Sequence, residues 1–187
     1  MDIRLVADAL RDKFTNTDRP ILIGIEGFGG SGKTTISRQL AEALGDTHVI
    51  HIDDFIVKEK LLEKAWDTGV FDHARLEHQV LKPVTLGQTV RYQKLLYDTN
   101  KLSKYTTVES AKYIIVEGIA CYITSLRHYY DFKIWVNTSI DLAMARGIAR
   151  DGTHGNADDW QDWAQIDLLY VNKYTPDLVA DFIITNQ

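Results

Sequence analysis

The chain has 187 residues, of which 45% are hydrophobic and 25% charged, and its formal net charge is -5. This composition is typical of a soluble globular domain and excludes a collagen-like, low-complexity or disordered chain. The acidic balance has the wrong sign for a protein that neutralises nucleic-acid phosphates, so we expect no nucleic-acid partner. A chain of this length can build one complete core, and we predict a single domain over residues 1–187.

Cysteine usage and hydropathy indicate a cytoplasmic protein. Cys121 is the single cysteine, so no intramolecular disulfide can form. Charged residues interrupt the apolar positions of the first dozen residues, which excludes the core of a signal peptide. No apolar run is long enough to span a membrane, and we expect no membrane partner.

Hydrophobic periodicity predicts alternating helices and strands. Apolar residues at helical spacing between Ile3 and Phe14 indicate an amphipathic helix, and the β-branched run 21–25 indicates a strand buried on both faces. A helix over 33–44 is predicted to end at Gly45. Further core strands are predicted at 47–52, 113–116, 132–136 and 182–184. Further helices are predicted at 73–81 with a stop near Pro83, at 119–128, at 140–150, and from a glycine-rich turn at 152–156 to about Tyr174.

Such alternation predicts an α/β fold of three layers, in which a central, mainly parallel sheet carries helices on both faces. Residues from about 55 to 110 interrupt the pattern, and we interpret them as a mobile insertion that faces the substrate. Short strands at 89–93 and 106–108 would form an antiparallel flap within it. Ligands of such folds bind beyond the carboxyl ends of the strands, which is where candidate residues are sought.

A glycine-rich loop follows the first predicted strand and opens the next helix. Residues 27–34 match G-x-x-x-x-G-K-[ST] in full, and this context supports a P-loop NTPase fold that binds ATP and Mg²⁺. Glycines let successive backbone N–H groups converge on phosphate at the helix N-terminus, while Lys33 adds a positive charge and Thr34 a hydroxyl for Mg²⁺. The predicted nucleotide-binding residues are Gly27, Gly29, Gly30, Ser31, Gly32, Lys33, Thr34 and Thr35.

Carboxylates follow two other predicted strands. Glu117 comes directly after an apolar strand and is the expected partner of Mg²⁺. Asp53 and Asp54 close the strand 47–52, and a carboxylate there can accept the proton of an attacking hydroxyl or hold Mg²⁺. We predict Asp53 as a catalytic and metal-side residue and Asp54 as a residue of the acceptor site.

Taken in order, these motifs resemble the uridine kinase family of small-molecule P-loop kinases, a group that includes phosphoribulokinase and bacterial pantothenate kinase. The resemblance implies that Asp53 is the base for a substrate hydroxyl and that Asp72, His73 and Tyr97 contribute to the acceptor pocket. It also implies that Arg146 and Arg150 act catalytically from a short lid at about 150–158, and it permits a homo-oligomer. The motifs that carry it are the loop 27–35, Asp53-Asp54-Phe55, Phe71-Asp72-His73, Tyr97-Asp98, Glu117-Gly118-Ile119, and Arg146 with Arg150 before Asp151.

The chain departs from that family at two places. The residues after Tyr97-Asp98 are Thr99 and Asn100, where uridine kinases have a phenylalanine and then a histidine that grip the pyrimidine, and the lid carries no arginine beyond Arg150. We therefore predict an ATP-dependent kinase that phosphorylates a hydroxyl of a nucleoside or similar small metabolite. A nucleotide-dependent regulatory NTPase, or switch, without a small-molecule acceptor is the alternative. The sequence does not distinguish between acceptors, between ATP and GTP, or between oligomeric states.

Overall fold

A five-stranded sheet forms the centre of the structure, a computed structural model that describes residues 3–151 and 157–187. The α-helices of this part are α1 (Ile3–Lys13), α2 (Lys33–Leu44), α3 (His73–Leu76), α4 (Lys82–Thr85), α5 (Ile140–Asp151) and α6 (Ala157–Tyr174). The strands are β1 (Ile21–Gly27), β2 (Thr47–His51), β3 (Val90–Tyr92), β4 (Leu95–Leu96), β5 (Lys101–Leu102), β6 (Thr106–Val108), β7 (Tyr113–Glu117), β8 (Phe132–Asn137) and β9 (Phe182–Thr185).

The central sheet has the strand order β2-β7-β1-β8-β9, and every neighbouring pair is parallel. Parallel neighbours need crossover connections, which place helices on the faces of the sheet. All seven residues of β1 are buried, as expected for a middle strand covered on both sides. The predicted strands at 21–25, 47–52, 113–116, 132–136 and 182–184 are confirmed, as are the helices near the N-terminus, at 33–44 and at 140–150.

Side chains of the central strands enter two separate hydrophobic cores. Ile21, Ile23 and Ile25 of β1 pack with residues of α1 and α2 on one face. Leu22 points to the other face, where its core includes Tyr170 of α6. This alternation follows from the period of two along a strand. The sheet therefore has a packed layer on each face, and the predicted three-layer α/β fold is confirmed.

The predicted helix at 119–128 is wrong. Residues 118–126 form turns, and one short 3₁₀ turn follows at Arg127–Tyr129. Gly118 and Ala120 have φ angles of 130° and 63°, which break a right-handed helix. The reason lies in β1, because the N–H of Tyr122 donates a hydrogen bond of 2.7 Å to Oε1 of the buried Glu26. The segment wraps a carboxyl group with its backbone instead of closing helical hydrogen bonds.

The predicted helix at 73–81 is confirmed, and it ends at Thr85, close to the expected stop near Pro83. Helical structure continues from α3 through a π-helical turn (Glu77–Leu81) into α4, which ends at Thr85. The N–H of Lys82 bonds to the carbonyl of Glu77, five residues earlier, so the turn before the proline is wider than an α-turn. Pro83 lies in the first turn of α4, where a missing N–H is tolerated.

The insertion contains the predicted antiparallel flap and additional short elements. β3 pairs with β6, as expected, and β4 and β5 form a second antiparallel ribbon. The chain before α3 forms three short helical turns, at Ile52–Phe55, Lys58–Glu63 and Trp66–Val70. Most of the predicted lid, residues 152–156, lies outside the described residues. Within the described ranges, no helix is long and apolar enough to cross a membrane.

Candidate active site

The glycine-rich loop joins β1 to α2 at the middle of the sheet. Gly30 and Gly32 have φ angles of 78° and 93°, in the left-handed region that favours glycine. A Cβ atom on Gly30 would lie 2.0 Å from the carbonyl oxygen of Ala143 in α5. The loop therefore packs directly against α5, and a side chain at Gly30 would push the two apart.

The donors of this loop suit a phosphate group. Ser31 is fully buried, and its Oγ has no hydrogen-bond partner among the residues that the structure describes. The Lys33 ammonium donates a 2.9 Å hydrogen bond to the carbonyl of Phe28 within the loop, and Thr34 and Thr35 are exposed at the start of α2. An orphaned hydroxyl, an ammonium and a helix N-terminus in one place fit an anion. The loop residues predicted from the sequence are thus brought together.

Glu117 lies at the end of β7, between the ends of β1 and β2. It is in register with Ile25 of β1 and with His51 of β2. Its Oε1 accepts hydrogen bonds from Thr34 Oγ1 at 3.0 Å and from His51 Nδ1 at 2.5 Å. Burial raises the pKa of Glu117, but the His51 hydrogen bond and the Lys33 charge outweigh it and hold that pKa below its usual value. An ionised carboxylate therefore adjoins the glycine-rich loop of residues 27–34, the phosphate loop.

Asp53 lies two residues beyond the end of β2 and is exposed. Partial desolvation by the surrounding protein and the charge of Glu117 raise the pKa of Asp53, whereas the charge of Lys33 lowers it. Asp54 points elsewhere, because its Oδ2 lies 3.2 Å from the ammonium of Lys94. The two adjacent carboxylates thus occupy different environments, and Asp53 is the one that shares the field of Lys33 and Glu117.

The acceptor-side candidates fall into two groups. Asp72 caps α3 by accepting the N–H of Arg75 at 2.9 Å, and Arg75 also bonds to the backbone carbonyl of Asp54 at 3.1 Å. His73 Nε2 lies 3.0 Å from the carbonyl oxygen of Ala120. Both side chains therefore make contacts within the protein that position the insertion.

Tyr97 belongs to the second group, because its side chain faces the solvent. It follows β4, its side chain is 49% exposed, and the ammonium of Lys58 lies 5.0 Å from the centre of its ring. Burial of part of the ring, with the charges of Asp53 and Asp54, raises the pKa of Tyr97 to about 12. Both aspartates that follow β2 therefore act electrostatically on Tyr97.

The two arginines of α5 point in different directions. Arg146 donates a 3.1 Å hydrogen bond to the carbonyl of Asn186, just beyond β9. Arg150 is exposed and makes two hydrogen bonds to Asp151, of 2.8 and 3.0 Å. Those bonds raise the pKa of Arg150, and the charge of Asp53 adds to the effect. Arg146 is therefore tied to the backbone beyond β9, whereas Arg150 is exposed and held by its neighbour Asp151.

Two buried acids beside the phosphate loop do not stand out as functional in the sequence. Glu26, the last residue before the loop, is fully buried, and burial raises its pKa to about 8. The sequence contains a signal for Glu26, because an acidic residue in an otherwise apolar strand needs a hydrogen-bond or charged partner. Asp167 of α6 accepts the N–H of Gly29 at 2.7 Å. Its distance of 138 residues from Gly29 leaves no local pattern that could identify it.

Comparison with known proteins assigns the class and the family. The parallel sheet and the phosphate loop have the architecture of P-loop kinases, and similarity to uridine kinases and phosphoribulokinases makes the protein a phosphotransferase with a hydroxyl acceptor. The structure is similar to that of a possible uridine kinase from Bacillus stearothermophilus, with a TM-score of 0.69 and 21% identity over 98% of this chain and all of that one. The chain belongs to the phosphoribulokinase/uridine kinase family, whose sequence pattern matches residues 22–158.

Two curated relatives illustrate the similarity in sequence. A uridine kinase from Alkaliphilus metalliredigens is 32% identical over 148 residues, which are 72% of this chain and 69% of that protein. A phosphoribulokinase from Synechocystis is 28% identical over 173 residues, which are 89% of this chain and 51% of that protein. These two names describe different acceptors, so the family leaves the substrate open.

Proposed function

We propose that this protein is an ATP- and Mg²⁺-dependent kinase that transfers the γ-phosphoryl group to a hydroxyl of a nucleoside or a similar small metabolite. The observation that carries the proposal is the position of Asp53, two residues beyond His51 of β2, which is in register with Glu117 of β7. The charges of Glu117 and Lys33 both act on its pKa. A carboxylate beside the phosphate loop, open to solvent, is where a base for an incoming hydroxyl is needed.

On the donor side, the phosphate loop binds the nucleotide. Backbone N–H groups of the loop and the start of α2 face the phosphates, Ser31 offers its unused hydroxyl, and Lys33 supplies positive charge. Thr34 and Glu117 would hold Mg²⁺, which when bound offsets phosphate charge. Within the described residues no group of three metal-ligating side chains occurs, so water and phosphate oxygens would complete the coordination of Mg²⁺.

On the acceptor side, Asp53 orients the substrate hydroxyl and accepts its proton. The raised pKa of Asp53 makes the carboxylate a stronger base than an aspartate with an ordinary pKa. Tyr97 and Asp72 would line the acceptor pocket, Asp72 with the part of its side chain that its contacts with Arg75 leave exposed. Arg150 would approach the transferring group when the lid closes, and closure would exclude water that otherwise competes as acceptor.

The first experiment identifies the acceptor. ADP release from Mg-ATP is measured with nucleosides, pentoses, sugar phosphates, pantothenate and glycerate, and a Lys33→Ala variant controls for contaminating kinases. Stimulation by one compound well above the rate without acceptor is the expected result. ATP binding without stimulation by any acceptor would instead favour the regulatory NTPase.

The second experiment tests the base. Asp53→Asn removes the proton acceptor but leaves the phosphate loop intact, so kcat is expected to fall at least about a hundredfold while the KM for ATP is unchanged. Asp12→Asn, at an exposed position of α1, serves as the control. Unchanged turnover of Asp53→Asn would reject Asp53 as the base.

A further inference from the structure

Asp167 of α6 is a buried carboxylate between the phosphate loop and the insertion. The residue is 3% exposed. Its Oδ2 accepts the backbone N–H of Gly29 at 2.7 Å, and its Oδ1 accepts the indole N–H of Trp66 at 2.6 Å. Each oxygen therefore has one donor, one from the phosphate loop and one from the insertion.

A buried carboxylate without a cationic partner lowers the stability of the folded protein. Burial of a carboxylate disfavours its charged form, and burial accordingly raises the pKa of Asp167, although the Gly29 hydrogen bond opposes it. Within residues 3–151 and 157–187, no cationic side chain forms an ion pair with it. An apolar residue of similar shape would fill the same space without that cost, so the two hydrogen bonds are what the carboxylate adds.

The neighbouring contacts of α6 show what the hydrogen bonds hold in place. Trp160 of α6 lies against Gly29, since a Cβ on that glycine would be 3.4 Å from the tryptophan ring. One turn beyond Asp167, the hydroxyl of Tyr170 lies 3.1 Å from Oε2 of Glu26, directly before the loop. The helix therefore contacts the chain from the end of β1 to Gly29, and among its described side chains Asp167 is the one that hydrogen-bonds to a peptide group of the loop.

We propose that Asp167 is a positioning residue for nucleotide binding, which fixes the orientation of the Gly29 peptide in the phosphate loop and connects that loop to Trp66 of the insertion. The inference rests on the proposed function of the loop as an ATP site. A loop that is rich in glycine has many backbone conformations, and ordering it before the nucleotide arrives lowers the entropic cost of binding.

The test compares two double variants. Both lack the indole N–H of Trp66, and they differ in whether residue 167 can accept a hydrogen bond. Trp66→Phe/Asp167→Asn keeps one oxygen that can accept the Gly29 N–H, whereas Trp66→Phe/Asp167→Leu has the same branched shape and no acceptor. The dissociation constant for Mg-ATP is measured by calorimetry without any acceptor substrate, and thermal unfolding verifies that both variants are folded. We expect the asparagine variant to bind ATP within about threefold of the wild type and the leucine variant at least about tenfold more weakly.

A control variant addresses the contact between α6 and the insertion. Tyr174→Phe removes a 2.7 Å hydrogen bond to Asp67 of the insertion without touching the loop, and its ATP affinity should equal that of the wild type. Equal ATP affinities of the two folded double variants would overturn the proposal for Asp167. A wild-type protein that binds no ATP would instead overturn the proposed function.

A second measurement covers the case in which the leucine variant does not fold. In the wild type and in Trp66→Phe/Asp167→Asn, the Gly29 amide proton should be protected from hydrogen exchange in the absence of nucleotide, because its N–H is bonded to residue 167. Rapid exchange of that amide in the nucleotide-free wild type would contradict the proposal without any need for the leucine variant.

Discussion

Thr34 Oγ1 lies 3.0 Å from Glu117 Oε1, so one hydrogen bond joins the first turn of α2 to the carboxyl end of β7. The two residues are 83 positions apart in the chain. Parallel strands end at the same edge of the sheet, and this brings the hydroxyl and the carboxylate next to the phosphate loop.

Glu117→Gln tests the metal side of this pair. Glutamine keeps the shape and the hydrogen-bond acceptor but removes the negative charge, so the Mg²⁺ concentration that gives half-maximal activity is expected to rise at least about tenfold. The measurement is a Mg²⁺ titration at fixed ATP, with the exposed Glu109→Gln as control. An unchanged Mg²⁺ requirement would remove Glu117 from the metal site.

Gly30→Ala and Gly45→Ala form a matched pair for the phosphate loop. Both glycines have a φ of 78°, so alanine is strained at each position. A Cβ on Gly30 meets Ala143, whereas nothing lies within 4 Å of a Cβ on Gly45. We expect Gly30→Ala to weaken ATP binding at least about tenfold and Gly45→Ala to change it less than about twofold, with stability lowered in both. Equal ATP affinities of the two variants would show that the contact of the loop with α5 is not needed.

Glu26 makes the stability of the protein depend on pH. The pKa of Glu26 is about 8 in the folded protein, compared with an ordinary value of 4.5 for an exposed glutamate of the unfolded chain. Between pH 4.5 and pH 8 the folded state therefore holds a proton that the unfolded state has lost. Stability from this group is complete below pH 4.5 and falls as the pH rises towards 8.

Glu26→Gln removes this titration while the side-chain carbonyl still accepts the N–H of Tyr122. Chemical denaturation of both proteins from pH 5 to pH 9 should show that the variant loses less stability than the wild type as the pH rises. Parallel curves for the two proteins would mean that Glu26 is already ionised at low pH in the folded state.

Local patterns were sufficient for the sheet and the phosphate loop. Buried parallel strands have continuous apolar runs, as at 21–25, and the loop residues adjoin one another in the chain. The same apolar content misled the helix prediction at 119–128, because Tyr122 contributes its backbone N–H to Glu26 and not to a helix. The hydrogen bond to the buried carboxyl group of Glu26, which is distant in the sequence, decided the conformation there.

The acceptor side was harder to predict for a related reason. The expectation that Asp72 and His73 contact substrate stays a prediction, and within the protein Asp72 caps α3 while His73 bonds to Ala120. Asp167 was not predicted at all, since its partners Gly29 and Trp66 are 138 and 101 residues away. Hydrogen bonds of this kind depend on the packing of α6 against the sheet, which no spacing of residues encodes.

Trp160 also lies on Gly147 of α5, where a Cβ would be 2.3 Å from the indole ring. The two positions therefore form a linked pair in any redesign or in the divergence of related chains. An alanine at position 147 is compatible with this helix packing only if a smaller ring or an aliphatic side chain replaces Trp160. Because Trp160 also covers Gly29, such an exchange would uncover one wall of the phosphate loop.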